Sequence, residues 1–327
     1  MKILFNGFRH SHVDGLYRNV LQCADFEIVG CVEPNAKARK NAEARLGAVF
    51  SDLSYDQWLN SDVDVVAIGC AYGERGDAII KALGAGKHVI ADKPICTDLN
   101  QLKQIEKLCA DTGCKLICML DLRYLPQSLS AEKLIKSKKL GAVCNISFNG
   151  QHCLDYGNRP SWYFEPGMHG GTINDLAIHG IDLVRMLTGL EFSIIDAART
   201  WNAYADQEPQ VPDCALFMAR LENVAGVMAD ISYSAPKMAI TLPTYCEFRI
   251  WCERGLLTFN YRDEQVTLYE QGVDTPQFIQ WDGARGSYLE ELLSEIRTGS
   301  SSSTSNVIKS TTVALQLQEK ADKESVI

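Results

Sequence analysis

Along the first 120 positions, apolar residues come in short unbroken runs separated by amphipathic stretches. Segments 2–6, 27–32, 63–69, 88–91 and 115–119 read as strands. Val63-Asp64-Val65-Val66-Ala67-Ile68 lacks the alternation of a strand with one wet face, so both its faces should be covered. Segments near 16–23, 37–46, 77–83 and 99–111 carry helical spacing. Alternating strands and helices of this kind predict a doubly wound parallel sheet over residues 1–122, an α/β arrangement. The pattern changes after Arg123-Tyr124-Leu125-Pro126. One helix over 129–137 and another within 170–187 precede strands at 194–200, 215–221, 225–233, 246–251, 255–260 and 265–269. That series predicts an α+β domain over 123–327 with a mostly antiparallel open sheet. Two closing helices flank Gly299-Ser300-Ser301-Ser302-Ser303-Thr304-Ser305, which reads as a flexible surface loop.

Composition narrows the class. Lys and Arg number 32 against 41 Asp and Glu, a net charge of −9. That balance speaks against a nucleic-acid or anionic-membrane surface, so neither is expected as a partner. No apolar run approaches the roughly 20 residues that span a bilayer. Met1-Lys2-Ile3-Leu4-Phe5-Asn6-Gly7 is read as a first strand rather than a leader. The 12 cysteines lie mostly within apolar segments and form no C-x-x-C, so free thiols in a reducing cytoplasm are expected. No His/Cys cluster has the spacing of structural zinc, and no metal is expected.

Three segments carry candidate chemistry. The first is Gly7-Phe8-Arg9-His10-Ser11-His12, after the first strand. A dinucleotide site needs glycines there so that backbone approaches the pyrophosphate at a helix N-terminus. Gly7 matches the first glycine, whereas Arg9 and His12 stand where the second and third would be. Arg9 offers a charge-assisted pair in place of bare amides. Gly7, Phe8, Arg9 and His10, with Cys70 after the third strand, are therefore candidate cofactor contacts. Glu33 closes the second strand, placed to accept from ribose hydroxyls and to repel a 2′-phosphate. NAD is thus expected, with NADP less favoured.

The second segment is His88-Val89-Ile90-Ala91-Asp92-Lys93-Pro94, which delivers Lys93 at a strand's carboxyl end, where parallel sheets bind ligands. Pro94 holds Lys93 away from α geometry. The third runs from Gly170 to Asp182 and sets Asp175, His179 and Asp182 at i, i+4 and i+7. On a regular helix they lie within roughly 60° of one another. Imidazole titrates near neutrality and a carboxylate can orient it, which suits proton transfer. The plainer alternative is a surface pair worth a few tenths of a kcal/mol.

Gly86 to Pro94 resembles the Glu-Lys-Pro segment of the glucose–fructose oxidoreductase / inositol dehydrogenase (Gfo/Idh/MocA) family. Gly170 to Asp182 is similar to that family's second signature, a glycine run followed by Asp-x-x-x-His-x-x-Asp. Gly84-Ala85-Gly86-Lys87, Arg123-Tyr124-Leu125-Pro126 and Leu140-Gly141-Ala142-Val143 extend the likeness over nearly the whole chain. Cys70-Ala71-Tyr72-Gly73-Glu74-Arg75 departs from the family's Thr-Pro-Asn, leaving nicotinamide contacts from this loop open. The resemblance implies a Rossmann domain at 1–122 and a substrate-binding and oligomerisation domain at 123–327. It also implies an NAD-dependent dehydrogenase acting on a carbinol of a sugar, inositol or related polyol. Lys93, Asp175 and His179 match the catalytic trio: His179 as acid/base, Lys93 as electrostatic and relay partner also touching the cofactor, Asp175 as orienter. Arg159, Trp162, His169 and Thr172 are candidate substrate contacts, Asp182 is a supporting residue, and His152 is read as structural. A homodimer or homotetramer through the open face of the second sheet is implied, using Ala225–Ala229 and Phe248–Trp251.

Two rival functions stay open on the sequence. One keeps NAD but oxidises only transiently, to hydrolyse or isomerise a glycoside. The other is a non-catalytic nucleotide-sensing protein, suggested by the degenerate glycine loop; the retained Lys and Asp/His pair speak against it.

Overall fold

The computed structural model describes residues 1–205, 207, 208 and 210–324, and the chain divides into two compact units. The predicted second domain ends at 327, so residues 325–327 of it lie outside the described residues. The first unit comprises Met1–Met119 with two later segments, Glu165–Gly170 and Tyr288–Thr311. Its main run is β1 (Lys2–Asn6), α1 (His12–Leu21), β2 (Glu27–Val32), α2 (Ala36–Leu46), α3 (Tyr55–Leu59), β3 (Val65–Ile68), α4 (Tyr72–Gly84), β4 (His88–Ala91), α5 (Leu99–Thr112) and β5 (Leu116–Cys118). The strands form one parallel sheet in the order β2-β1-β3-β4-β5. Every residue of β3 and β5 is buried, as the unbroken apolar runs required.

Local chemistry sets the helix ends. Asn35 caps α2 by accepting from the Ala38 amide at 2.9 Å. Asp98 caps α5 through the Asn100 and Gln101 amides at 2.7 and 3.0 Å. Helix α1 differs, because Ser11 precedes it without a side-chain cap.

The second unit comprises Leu120–Phe164, Gly171–Ser287 and Thr312–Ile327. It holds α6 (Pro126–Lys136), β6 (Val143–Gln151), α7 (Ile178–Thr188), β7 (Phe192–Trp201), β8 (Cys214–Leu221), β9 (Gly226–Ser232), β10 (Phe248–Cys252), β11 (Gly255–Phe259), β12 (Gln265–Glu270) and β13 (Gln277–Gln280). Eight strands form one sheet in the order β13-β12-β11-β10-β6-β9-β8-β7. All pairs are antiparallel except β6 with β9. The central strand β6 was not among the expected strands. Asn145, Ser147, Asn149 and Gln151 alternate there with Ile146, Phe148 and Gly150, and Asn and Gly weaken the propensity signal of a strand that tertiary pairing nevertheless forms.

Alternation gives this sheet two unlike faces. Phe148, Phe217, Ala229 and Ile250 are buried, whereas Leu216, Met218, Met228 and Trp251 are about half exposed. Helix α7 rides directly on the buried face. A Cβ at Gly180 would stand 2.1 Å from the Phe148 ring, so only glycine lets the helix seat there.

The chain closes with α8 (Tyr288–Thr298) and α9 (Ser302–Glu324). The serine-rich tract is therefore not a loop throughout, as expected from composition. Its second half begins α9, because the buried Glu295 carboxylate accepts from the Ser303 and Thr304 amides at 2.5 and 3.3 Å. None of the 12 cysteines forms a disulfide. Among the described residues, no helix is long and apolar enough to cross a membrane.

Candidate active site

At the exit of β1, Gly7 adopts a φ of +92° and its amide donates to the Val32 carbonyl at 2.8 Å. A Cβ there would lie 2.3 Å from the Cys70 nitrogen, so the β1 and β3 exits meet only across glycine. Glu33 ties the β1 and β2 exits together. Its Oε2 accepts from the Phe8 amide at 2.7 Å and its Oε1 from the Asn35 amide at 2.8 Å. The Phe8 ring faces the core against Phe5, Tyr17 and Phe50, so only its backbone serves the loop. The Arg9 amide donates to Gly69 at 2.9 Å. Its guanidinium pairs with no carboxylate among the described residues. These residues fit a dinucleotide: a cradle that a Cβ would fill, an acid at the β2 exit, and cationic or imidazole side chains where the second and third glycines would stand.

Asp92, fully buried after β4, collects four partners. Its Oδ2 accepts from Arg75 Nη2 at 2.7 Å and meets His10 Nδ1 at 2.8 Å. Its Oδ1 meets His12 Nδ1 at 3.0 Å and accepts from the Lys93 amide at 2.8 Å. Burial alone would raise this carboxyl, but Arg75, His10 and His12 outweigh it and hold the group well below its usual range. Burial pushes His10 down to about 4 against the pull of Asp92, so it is neutral near pH 7. Arg75 is also fully buried and donates from Nε to the Cys70 carbonyl at 2.9 Å and from Nη1 to the Lys93 and Pro94 carbonyls. The guanidinium thus binds the β3 exit to the segment that carries Lys93. The ligating atoms of His10, His12 and Asp92 all lie within 4.8 Å. The carboxylate's charge is already matched by Arg75, and Lys93 adjoins it, so these surroundings favour an anion over a metal ion.

The sequence motifs contain Tyr72, Arg75, Asp92 and His12, but nothing in their spacing assigned them a role. Tyr72 is buried, and its ring lies 4.5 Å from the Arg75 guanidinium carbon and 5.9 Å from Lys93 Nζ. His10 and His169 flank it at 5.7 and 6.1 Å between ring centroids. It opens α4, in the segment whose departure from Thr-Pro-Asn was visible, and that departure was the available signal. Burial pushes the Cys70 thiol up to about 12, which keeps it protonated.

In the second unit, the segment before α7 is not the regular helix expected from the spacing. Ile173–Ala177 form a π-helical turn before α7 begins at Ile178. The wider i→i+5 turn breaks the 100° step on which the single Asp175–His179–Asp182 stripe depended. Asp182 instead meets Arg123 in a two-pronged pair, at 3.0 Å to Nε and 3.2 Å to Nη2. Asp175 is 1% exposed. Its Oδ2 accepts from the Tyr163 hydroxyl at 2.5 Å and from the Tyr233 hydroxyl, and the two hydroxyls lie 2.8 Å apart. Burial, then the Asp175 charge, pushes the Tyr163 phenol well above its ordinary value, so it stays a neutral donor. His179 follows four residues later and is half-buried.

The expected substrate contacts fall in different places. His169 lies in the first unit beside Tyr72. Arg159, in the second, donates to the Leu154 and Cys153 carbonyls at 2.9 and 2.6 Å and covers the Tyr163 ring. Trp162 is buried edge-on to Tyr163, and the Thr172 hydroxyl donates to the Pro212 carbonyl. His152 Nε2 meets the Tyr245 hydroxyl at 3.0 Å.

A parallel sheet with a glycine turn at the β1 exit and an acid at the β2 exit, in one chain with an open mixed sheet, defines an NAD-binding oxidoreductase. The chain belongs to the GFO/IDH/MocA family. Residues 10–120 match the family's "Oxidoreductase family, NAD-binding Rossmann fold" and residues 128–258 its "GFO/IDH/MocA C-terminal domain". Levoglucosan dehydrogenase of Pseudarthrobacter phenanthrenivorans is 28% identical over 275 residues, spanning 75% of this chain and 69% of that protein. The scyllo-inositol 2-dehydrogenase (NAD(+)) of Bacillus subtilis is 29% identical over 169 residues, spanning 50% of this chain and 47% of that protein. This chain likewise matches about half the length of other curated relatives. A solved levoglucosan dehydrogenase in complex with NADH shares the fold, with a TM-score of 0.80 at 20% identity over 99% of this chain and 98% of that one. The expectations of family, fold class and NAD cofactor are thereby borne out.

Proposed function

We propose that this chain is an NAD-dependent dehydrogenase acting on a carbinol of a sugar, inositol or related polyol, with Lys93, Asp175 and His179 carrying the chemistry. The observation that supports it best is Asp175. A carboxylate 1% exposed, held by two neutral phenols inside a π turn, serves no need of a hydrophobic core, which is better stabilised by apolar groups. Single π turns occur frequently at functional sites. Bound NAD supplies the hydride acceptor. His179 takes the hydroxyl proton while the carbinol carbon gives up its hydride, leaving a carbonyl. The Asp175 charge favours the imidazolium that results, and the Lys93 ammonium favours the alkoxide as it develops. Relatives named for levoglucosan and scyllo-inositol support the substrate class. Thr172 and Arg159 already bond backbone carbonyls, so they serve as supports.

Absorbance at 340 nm across a polyol panel tests this reading. Net NADH formation is expected. Product without net NADH would return the redox-neutral rival, and NAD binding without turnover on any member would return the sensor.

The same reading pairs the chain with a second copy through the open sheet face. Leu216, Met218, Met228 and Trp251 supply apolar surface, and a groove of about 370 Å³ passes Leu216, Met228, Glu247 and Arg249. A monomeric mass by light scattering at micromolar concentration would contradict it.

A further inference from the structure

The two imidazoles on Asp92 lie in the loop where this chain lacks its second and third glycines. Asp92 is ionised and accepts hydrogen bonds but cannot donate. His10 and His12, which meet it through Nδ1 at 2.8 and 3.0 Å, must each carry a proton on that nitrogen. Both tautomers are thereby fixed, and only Nε2 remains for anything outside the cluster. A neutral Nε2 presents a lone pair and repels an anion. A protonated one donates, with Asp92 holding the ring in place through Nδ1.

The two rings differ in exposure. The His10 side chain is 15% exposed and lies edge-on to Tyr72, and burial holds it neutral. The His12 side chain is 35% exposed and opens α1. His12 faces Asp92 at the β4 exit and His10 of its own loop, whose ring centroid lies 4.3 Å away, and Asp92 in turn holds Arg75 of α4. Asp14, next on α1, is engaged by Arg45 at 2.8 and 3.1 Å and does not compete.

We infer that His12, oriented by Asp92, is a proton-dependent contact for the diphosphate of the cofactor, so that NAD binding draws a proton onto this imidazole. The inference rests on the NAD assignment. Where the fingerprint has its third glycine, with no side chain to offer, this chain adds an imidazole donor that exists only when protonated. Affinity then rises on acidification, by at most about tenfold per pH unit, the limit for one linked proton.

Calorimetric titration of the whole chain with NAD near pH 7.5, in buffers of different ionisation enthalpy, counts the protons taken up. A fraction of one proton per site is expected with NAD and with ADP-ribose, which keeps the diphosphate, and none with adenosine. His12→Gln should abolish the uptake and flatten the pH dependence of Kd, whereas His10→Gln should retain both. NAD binding without proton uptake, or uptake that persists in His12→Gln, would overturn the inference alone. Absence of NAD binding in every buffer would overturn the cofactor assignment with it.

Discussion

Asp92 and Asp175 are two buried carboxylates with opposite surroundings. Asp92 is met by a guanidinium and two imidazoles, Asp175 by two phenols. An ion pair cancels the field of a carboxylate, and Arg75 uses the same guanidinium to join the β3 exit to the Lys93 segment. The Tyr163 and Tyr233 hydroxyls both donate to Asp175 Oδ2, and neutral donors do not themselves cancel a carboxylate's charge. The first carboxylate ties two strand exits together, while the mechanism proposed above gives the charge of the second to the His179 imidazole. Burial alone does not separate structure from chemistry; the charge of the partners does.

The largest effects should come from the groups assigned to chemistry. His179→Ala is expected to lower kcat by about 10²–10⁴-fold, the range for a positioned acid or base. Lys93→Met should be comparably severe, since it removes the charge that favours the alkoxide. The double variant should lose less than the product of the two. Steady-state kinetics would break this side of the comparison if both single variants turned over near the wild-type rate.

The anchor should register in stability. Arg75→Met leaves Asp92 buried without its cation, and loss of one member of such a pair costs about 3–5 kcal/mol. Urea unfolding measures this directly, and an unchanged midpoint would remove the anchoring role. The pH dependence sharpens the contrast. The Asp92 carboxyl is depressed in the fold, so its contribution is present above its ordinary value of 3.8 and lost as pH falls through the lower folded value. His10, depressed to about 4, adds stability that is present above 6.5 and lost as pH falls towards 4. Arg75→Met should move the Asp92 loss to higher pH, because the cation that depresses the carboxyl is gone.

Much of the first unit was legible because its strands are unbroken apolar runs and its helices end on Asn, Asp and Gly signals. The second sheet was legible where β8, β9 and β10 alternate cleanly. It was hidden at β6, whose Asn and Gly residues are held in the sheet by neighbours remote in sequence. The candidate trio was legible from two motifs. What surrounds it was not, because Tyr163 and Tyr233 reach Asp175 from 12 and 58 residues away, and Arg75 reaches Asp92 across 17. The π turn also escaped notice, since residue spacing alone assumes a regular helix.

The central claim is that Asp175 keeps its charge for chemistry rather than for the fold. Asp175→Asn is close to isosteric and removes that charge. The most direct test measures its kcat across pH beside its unfolding midpoint and NAD affinity. The prediction is a loss of about 10²-fold or more in kcat, and a shift of the pH-rate limb that belongs to His179, with midpoint and NAD Kd close to wild type. A folded Asn variant with kcat within about threefold of wild type and an unmoved pH profile would contradict it, and would return Asp175 to a purely structural role.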